Sequence, residues 1–335
     1  MENLKYMQAI VVDKPIGPSG LRLVNDYPVP EIGANDILVQ VKAVGLNRAD
    51  LIQSYGKYNP PPGSICPDII GLEYAGIVVR VGSRVVNFKI GDRVFGLVAS
   101  AAMGQYLCTH SQTAILIPQD LDFEVAASLP EAFITAYDAL VLQAGVKLNQ
   151  SVLISAIGSS VGLAALQIAK LYNCIVVGSS RTPDKLKLAQ NIGLDFGFTV
   201  ESSSFVQSVL EYTRQIGVDN VLELVGGNYL KQDIECCSYR ACIVIIGLLA
   251  GIKTEVNLAL ILAKRIRIYG TTLRSRDLSE KIELANAFAS EILPLVKSGK
   301  LKPFITKVYS LKDLHLAFND LESNKYAGKL ILNWS

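Results

Sequence analysis

Small residues between two apolar runs form the part of the sequence best suited to bind a pyrophosphate. Residues 152–154 are apolar, a turn of small residues ends at Gly162, and an apolar run follows over 163–171. Such a turn lets backbone N–H groups approach phosphate oxygens, and the amino end of the following helix adds its positive dipole. The residues predicted to hold the cofactor phosphates are Ser159, Ser160, Val161 and Gly162.

This turn departs from the dinucleotide-binding pattern GxGxxG, because Ser159 stands where a glycine is usual. Two other interpretations stay open. A buried strand and helix without any ligand would contain the same residues. The uncharged stretch 152–169 also approaches the roughly 20 apolar residues of a membrane-spanning helix, although the serines and glycines near its middle disfavour that interpretation.

The residues that follow the next apolar run, 175–177, indicate which nucleotide is bound. An Asp or Glu roughly 20 residues past the glycine turn binds the ribose of NAD, whereas Ser, Arg and Lys suit a 2′-phosphate. No acid directly follows this run, and charge-assisted hydrogen bonds from Arg181 would hold a phosphate well. We therefore expect NADPH, with a solvated basic loop as the alternative. The residues predicted at this end of the cofactor are Gly178, Ser179, Ser180, Arg181 and Lys185.

The elements that position these residues fall into two patterns. Residues 1–129 consist of short β-type runs separated by Gly, Pro, Asn and Asp, which predicts a β-rich, barrel-like first domain. From residue 151 onward strands alternate with helices, which predicts an α/β fold with a Rossmann-type, doubly wound parallel sheet over 130–270. Residues 271–335 are too few to fold alone, so we expect this segment to return and complete the first domain.

Composition limits the classes of partner. The chain has 335 residues, 50% hydrophobic and 19% charged, which suits about two globular domains. With 32 basic and 30 acidic residues, the net charge of +2 gives no electrostatic reason to expect nucleic acid or an anionic membrane. The 6 cysteines form no CxxC pair, and residues 1–5 show no apolar signal core. We expect a cytoplasmic protein with reduced thiols.

Several motifs are distributed over nearly the whole chain: LNRADL (46–51), GKYNPPPG (56–63), GLE (71–73), GDRV (91–94), PEA (130–132), the turn 156–162 and LRSRD (273–277). In these motifs the sequence resembles the zinc-independent quinone oxidoreductases of the medium-chain dehydrogenase/reductase superfamily. The first two motifs and the last are similar to the branch typified by the tumour-suppressor-induced quinone oxidoreductase, and Ser159 fits that branch; ζ-crystallin is a more distant relative.

The resemblance implies a GroES-like catalytic domain, NADPH as hydride donor and quinones as acceptors, in some members by one-electron steps. It also implies a homodimer, usually through the edges of the two nucleotide sheets. Two of the implied cofactor contacts have alternatives: Thr135 could bond its own helix backbone, and Lys329 could be a solvated charge on an end strand. The implied contacts are Thr135, Gly247, Leu248, Leu273, Arg274 and Lys329.

Zinc alcohol dehydrogenases share the superfamily, so a metal site must be considered. The positions that match their cysteine and histidine ligands carry Asn47 and Leu72 here. The histidines, His110 and His315, have no second ligand nearby in sequence, and no four-cysteine loop is present. The sequence therefore predicts no metal site.

Without a metal, the oxyanion that develops when a hydride reaches a quinone or enone needs a positioned hydrogen-bond donor. Tyr58 is the first candidate and Asn47 the second. The alternatives are that Tyr58 packs under the prolines 60–62 and that Asn47 caps a turn.

The leading hypothesis is an NADPH-dependent quinone reductase. The first alternative is reduction of the double bond of α,β-unsaturated carbonyls, since the same hydride geometry serves both reactions. An alternative of another class is an NADPH-binding structural or RNA-associated protein with little activity, against which the even charge balance argues. One departure concerns the substrate: residues 99–104 read ASAAMG where relatives carry a run of glycines, and these side chains are expected to narrow the substrate site.

Overall fold

The structure, a computed structural model, describes residues 5–200 and 204–334. Residues 1–4, which make up most of the stretch without an apolar signal core, lie outside this range. The chain divides into two compact units, one formed by the chain up to Ile134 together with residues from Leu273 onward, and one by Thr135–Thr272. The predicted boundaries lay at 129/130 and 270/271. The first boundary falls later because the helical segment Pro130–Ile134 contacts a strand of the first unit.

The first unit contains a two-stranded and a seven-stranded sheet. Strands β1 (Tyr6–Val12) and β2 (Leu21–Pro28) pair antiparallel in the smaller sheet. The strands of the larger sheet are β3 (Asp36–Leu46), β4 (Glu73–Val81), β5 (Arg93–Leu97), β6 (Tyr106–His110), β7 (Ala114–Leu116), β14 (Ile305–Ser310) and β15 (Lys329–Asn333). Their order is β14-β15-β3-β4-β5-β7, with β6 paired to β3.

The tail of the chain supplies two strands of this larger sheet. Strand β15 runs parallel to β14 and antiparallel to β3, with Leu330 opposite Leu46. Lys329, the first residue of β15, is thereby brought beside the end of β3. The tail therefore completes the first unit instead of forming a unit of its own.

The segment 99–104 contributes to the core of the first unit. Ala101, Ala102 and Met103 are at most 3% exposed and pack in the same apolar cluster as the strands of the large sheet. The side chains that were expected to narrow the substrate site are therefore packed inside the unit. Ala101 adopts a left-handed backbone conformation, with φ of 73°.

The second unit is a six-stranded sheet in which every pairing is parallel. The strand order is β10-β9-β8-β11-β12-β13, which in this unit's own numbering is 3-2-1-4-5-6. This order is that of dinucleotide-binding sheets, with the topological switch between β8 and β11, and it confirms the predicted fold class. The strands are β8 (Ser151–Ile154), β9 (Ile175–Ser180), β10 (Phe196–Thr199), β11 (Val218–Glu223), β12 (Cys237–Ile245) and β13 (Arg267–Gly270).

Helices cover the remaining regular structure. π-Helical segments at Pro130–Ile134, Asp138–Gln143 and Phe288–Ile292 continue or join the α-helices, and short 3-10 turns lie at Pro18–Gly20, Ser111–Thr113 and Leu311–Asp313. The α-helices are α1 (Arg48–Ser54), α2 (Phe123–Ala127), α3 (Thr135–Tyr137), α4 (Ser160–Leu171), α5 (Pro183–Asn191), α6 (Val206–Tyr212), α7 (Tyr229–Cys236), α8 (Leu258–Lys264), α9 (Leu278–Ala287), α10 (Leu293–Lys297) and α11 (Leu314–Ser323).

One helical stretch of the described residues, Phe123–Gln143, is long and apolar enough to cross a bilayer, but 78% of its most apolar 18-residue window is buried inside the chain. Packing therefore explains its apolar composition. The stretch 152–169 does not form a single helix, because strand β8 precedes the 12-residue helix α4. The membrane interpretation of that stretch is therefore wrong.

All six cysteines are free thiols, and all of them except the half-buried Cys66 are buried. Burial raises the pKa of each of these thiols above its ordinary value.

Candidate active site

The turn between β8 and α4 has the geometry of an anion site. Ser159 is the N-cap of α4, and its Oγ accepts the N–H of Gly162 at 3.0 Å. The N–H groups of Ser160 and Val161 lie in the first helical turn, where no intrahelical acceptor exists. The serine that replaces a glycine therefore caps the helix and leaves two N–H groups for a phosphate.

Lys185 of α5 lies directly over this turn. A Cβ added to Gly158 would come within 2.7 Å of the Lys185 Cβ, so only glycine leaves room for the lysine stem. Lys185 is only 8% exposed despite its charge. The structure thus brings this lysine next to the predicted phosphate site.

The end of β9 adjoins the same turn, because the N–H of Ile157 donates to the carbonyl of Ser179 at 2.8 Å. Ser179 and Ser180 are buried, whereas Arg181 is exposed. Asp184 lies in the first turn of α5, where an acidic side chain is favoured by the helix dipole. The end of the strand therefore offers hydroxyls and a guanidinium, and no carboxylate directly after it.

The hydroxyl of Thr135 is a buried polar group that could bind a ligand. Its Oγ1 is buried and has no hydrogen-bond partner among the described residues, so the alternative of a bond to its own helix backbone is not seen. Buried hydroxyls normally have a partner, so this atom is available to a ligand. Gly247 and Leu248 follow β12; the N–H of Gly247 donates to the Glu223 carbonyl at 3.3 Å, and Leu248 is 52% exposed. The residues of the second unit thus fit a dinucleotide.

A buried ion pair lies in the first unit. The ammonium of Lys329 donates to Glu73 Oε1 at 2.6 Å and to Asn47 Oδ1 at 2.7 Å. Lys329 is 1% exposed, so it is not a solvated end-strand charge. A Cβ at Gly45 would lie 2.1 Å from Glu73 Oε1, so a glycine is needed beside this carboxylate. The N–H of Glu131 donates to Glu73 Oε2 at 2.8 Å, so both carboxylate oxygens of Glu73 accept hydrogen bonds.

Asn47 is committed to this ion pair. Its amide nitrogen donates to Glu73 Oε1 at 2.9 Å and to the Gly45 carbonyl at 3.3 Å, which engages both amide hydrogens. Its backbone begins helix α1, but its side chain is turned toward Lys329 and Glu73. A role for Asn47 as hydrogen-bond donor to substrate stays a prediction, and its observed contacts are those of a residue that holds the ion pair.

Two further carboxyls adjoin the pair. Asp50 Oδ2 accepts the N–H of Asn47 at 2.8 Å, while Oδ1 is buried without a partner among the described residues. Burial raises the pKa of Asp50 to about 7, and burial followed by repulsion from Glu73 raises the pKa of Glu131 to about 7. Near neutral pH both groups are therefore partly protonated, which limits the negative charge around the single ammonium.

Arg274 fixes the position of Tyr58. Its Nε donates to the Ala99 carbonyl and its Nη1 to the Tyr58 carbonyl, both at 2.7 Å, and its Nη2 donates to Gln53 Oε1 at 2.6 Å. The guanidinium also lies 4.7 Å from the centre of the Tyr58 ring. All three guanidinium nitrogens have protein partners, and two of these contacts hold residues near Tyr58. The cofactor contact predicted for Leu273 and Arg274 remains a prediction.

Sequence reasoning did not assign a role to four of these residues. The spacing of Asn47 and Asp50, an Asn followed three positions later by an acid, is a helix-start signal that could have identified Asp50. No local signal was available for the pairing of distant residues. The four are Asp50, Gln53, Glu73 and Glu131.

The residues present do not fit a zinc site. No group of three or more His, Cys, Asp or Glu that could hold a metal occurs within residues 5–200 and 204–334. Leu72 is a buried apolar residue, and the Lys329 ammonium is already the cation bound by Asn47 and Glu73. His110 Nδ1 accepts the N–H of Gln112 at 3.3 Å, and His315 Nδ1 is hydrogen-bonded to the carbonyl of Pro18 at 3.1 Å.

The β-rich unit completed by the tail and the parallel sheet with its capped turn after β8 together define the medium-chain dehydrogenase/reductase class of oxidoreductases. Family models agree with this assignment. Residues 33–119 match the alcohol dehydrogenase GroES-like domain, and residues 160–290 match the zinc-binding dehydrogenase model.

Curated and solved relatives narrow the class. Human quinone oxidoreductase is 30% identical over 330 residues, covering 98% of both chains. The structure of Escherichia coli quinone oxidoreductase complexed with NADPH matches with a TM-score of 0.86 and 29% identity, covering 98% of this chain and 100% of that one. The CurK enoyl reductase matches with a TM-score of 0.84 and 25% identity, covering 98% and 99%. The chain belongs to the quinone oxidoreductase family of the medium-chain dehydrogenase/reductase superfamily.

Proposed function

We propose that this protein is an NADPH-dependent quinone oxidoreductase that needs no metal. The observation that carries the proposal is the end of β9, where buried Ser179 and Ser180 and exposed Arg181 adjoin the capped phosphate turn without an acid between them. Hydroxyls and a guanidinium suit a 2′-phosphate, which a carboxylate would repel. The NADPH complex of the Escherichia coli relative supports the same cofactor.

Bound NADPH supplies the hydride, and the residues of this chain bind and orient the reactants. Ser160 and Val161 offer N–H groups to the pyrophosphate, while Arg181 and Lys185 neutralise the 2′-phosphate. Tyr58, held by Arg274, donates its hydroxyl hydrogen to the acceptor oxygen as negative charge develops there. The Lys329–Glu73 pair, to which Asn47 is hydrogen-bonded, keeps the ends of β3 and β15 together.

The decisive experiment follows NADPH oxidation by the purified protein with a naphthoquinone and, separately, with an alkenal. Faster turnover of the naphthoquinone is expected. Greater turnover of the alkenal would favour the second candidate, reduction of α,β-unsaturated carbonyls, which the match to the CurK enoyl reductase supports. Tight NADPH binding with no turnover of either acceptor would favour the structural or RNA-associated class instead.

Replacing Arg181 by alanine is expected to raise the Michaelis constant for NADPH far more than that for NADH. The loss of a charge-assisted contact to the 2′-phosphate corresponds to roughly 1–3 kcal/mol. Steady-state kinetics with both cofactors measures the difference. Lys187→Ala, an exposed substitution in α5 whose side chain pairs with Asp184, is the control and should change neither constant. An equal effect of Arg181→Ala on both cofactors would remove Arg181 from the phosphate site.

We also propose a homodimer formed through β13, the end strand of the second unit's sheet. An end strand leaves one row of backbone groups unpaired. Beside it in sequence, helix α8 reads LALILAK and yet has no buried residue, with Leu258 and Leu262 exposed by 73% and 81%. A second copy of the chain would cover these leucines.

Leu262→Glu is accordingly expected to weaken the dimer at least about tenfold, which corresponds to about 1.4 kcal/mol. Sedimentation velocity over a range of protein concentrations measures the change. Leu148→Glu, at a leucine of the same unit that is 68% exposed, is the control and should leave the dimer intact. Identical sedimentation of the two variants would place the interface elsewhere.

For its location we propose the cytoplasm, where six free thiols would stay reduced. Small-molecule quinones or enones are the proposed partners, with no nucleic acid and no membrane among them, in line with the near-zero net charge.

A further inference from the structure

The helical chain around Thr135 is irregular. π turns occupy Pro130–Ile134 and Asp138–Gln143, and Thr135–Tyr137 between them is α-helical. A threonine in a regular helix often bonds the carbonyl three or four positions earlier. Those carbonyls lie here in a π turn, which is wider, and the buried Thr135 Oγ1 has no hydrogen-bond partner among the described residues. π turns inside helices are frequent at functional sites. The irregular helix therefore presents a buried hydroxyl that is open to a ligand.

Asp138 is a fully buried carboxyl three positions after Thr135, so the two side chains lie on the same side of the helix. Its Oδ2 accepts the hydroxyl hydrogen of Thr271 at 2.8 Å. Its Oδ1 accepts the side-chain amide of Gln143 at 3.1 Å. One carboxyl oxygen is thus bonded within the helix and the other to a distant segment, and together these bonds hold the helix at one rotation about its axis.

Thr271 joins this helix to the parallel sheet. It is the first residue after β13, and its N–H donates to the carbonyl of Ile245, the last residue of β12, at 3.0 Å. Ligands of doubly wound sheets bind at the carboxyl ends of the strands. The bond from Thr271 to Asp138 therefore ties the helix that carries Thr135 to this edge of the sheet, close in sequence to the predicted cofactor contact Gly247.

We propose that Asp138 is a positioning residue for the cofactor: by accepting the Thr271 hydroxyl it holds the helix so that the hydroxyl of Thr135 meets NADPH. The proposal rests on the proposed NADPH binding. Both carboxyl oxygens of Asp138 are bonded to protein groups, so Asp138 acts on the cofactor through Thr135. A small rotation of the helix would break the contact, because hydrogen bonds form only within narrow limits of distance and angle.

The first measurement removes the Thr271 hydroxyl. Thr271→Val keeps the size of the side chain and loses the donor to Asp138. The dissociation constant of NADPH, measured by fluorescence titration, is expected to rise at least about threefold, as for one lost hydrogen bond. Thr271→Ser retains the hydroxyl and should bind NADPH within about twofold of the natural protein.

A double-mutant cycle with Thr135→Val separates positioning from a general loss of stability. Thr135→Val alone should weaken NADPH binding at least about threefold, since it removes the hydroxyl that meets the cofactor. Adding Thr271→Val should then weaken binding by less than about 1.5-fold more, because the hydroxyl that the bond positions is already gone. A purely structural role predicts instead that the two effects multiply.

Thr213→Val is the matched control. The Thr213 hydroxyl donates to the Val209 carbonyl at 2.8 Å and accepts the N–H of Gly217 at 3.1 Å. Gly217 precedes β11, at the amino ends of the strands, which form the edge opposite to the predicted cofactor residues. Urea unfolding should show that Thr213→Val and Thr271→Val both lower stability, whereas the dissociation constant of NADPH should change in Thr271→Val alone.

A second variant keeps the proposal testable if Thr271→Val does not fold. Gln143→Leu removes the other bond of Asp138 and should weaken NADPH binding at least about twofold, again only while the Thr135 hydroxyl is present. The same cycle with Thr135→Val then decides the question.

Three results would overturn the positioning role: unchanged NADPH binding by Thr271→Val, an equal effect of that substitution with and without the Thr135 hydroxyl, or a loss by Thr271→Ser as large as that of Thr271→Val. The natural protein judges the proposed cofactor separately. If it binds NADH more tightly than NADPH, the choice of NADPH is rejected, and the cycle repeated with NADH still decides the positioning role. If it binds neither nucleotide, both proposals are rejected.

Discussion

Lys329→Met is expected to lower the free energy of unfolding by about 3–5 kcal/mol, because it leaves the Glu73 carboxylate buried without its cation. Lys329 and Glu73 are 1% and 0% exposed, so water cannot replace the ammonium without opening the end of β15. Asn47 would lose the partner of its Oδ1 in the same change. Urea unfolding monitored by circular dichroism measures the loss.

Lys187→Met provides the matched control, since it removes an ion pair with Asp184 whose side chains are 75% and 91% exposed. Exposed pairs of this kind contribute about 0–1 kcal/mol. The double substitution Lys329→Met with Glu73→Gln should recover part of the lost stability by removing the unpaired charge, and it stays informative if the single variant does not fold. A loss no larger than that of Lys187→Met would show that the buried pair does not stabilise the first unit.

Tyr58→Phe is expected to lower turnover of a naphthoquinone about a hundredfold, roughly 2.7 kcal/mol, while leaving NADPH binding intact. Phenylalanine keeps the ring that lies under the Arg274 guanidinium and removes only the hydroxyl. The main-chain bond from Arg274 to residue 58 is also retained. The loss should therefore appear in kcat, with an unchanged dissociation constant for NADPH.

Tyr55→Phe is the control for this substitution. Tyr55 lies three residues earlier and its hydroxyl donates to Glu322 at 2.5 Å on the exposed surface, so its loss should leave kcat unchanged. Turnover of Tyr58→Phe equal to that of the natural protein would return Tyr58 to a packing role. The ring would then be there as the partner of Arg274 alone.

The parts of the structure that the sequence predicts well depend on local patterns. The short apolar run, the small residues and the apolar run 163–171 predict the strand, the turn around Ser159 and the helix, because all three are determined within about 20 residues. Helix α4 begins earlier than that run, at Ser160, because the side chain of Ser159 caps it. The alternation of strands and helices likewise predicts the parallel sheet of the second unit.

The buried ion pair could not be predicted in this way. Glu73 and Lys329 are 256 positions apart, and they meet only because β15 returns to pair with β3. Lysine is usually solvated, so a lysine on a terminal strand was given a surface role as one alternative. The position of Met103 also depends on distant parts of the chain. The sequence predicts that residues 99–104 narrow the substrate site, but the fold buries Met103 completely.

The state of the cysteines has a chemical consequence for a protein that handles electrophiles. Quinones and enones, the acceptors proposed for this protein, are attacked by thiolates to form stable adducts. Thiols that are buried, with pKa values raised by that burial, form little thiolate at neutral pH and react slowly. The fold therefore protects its five buried thiols from arylation.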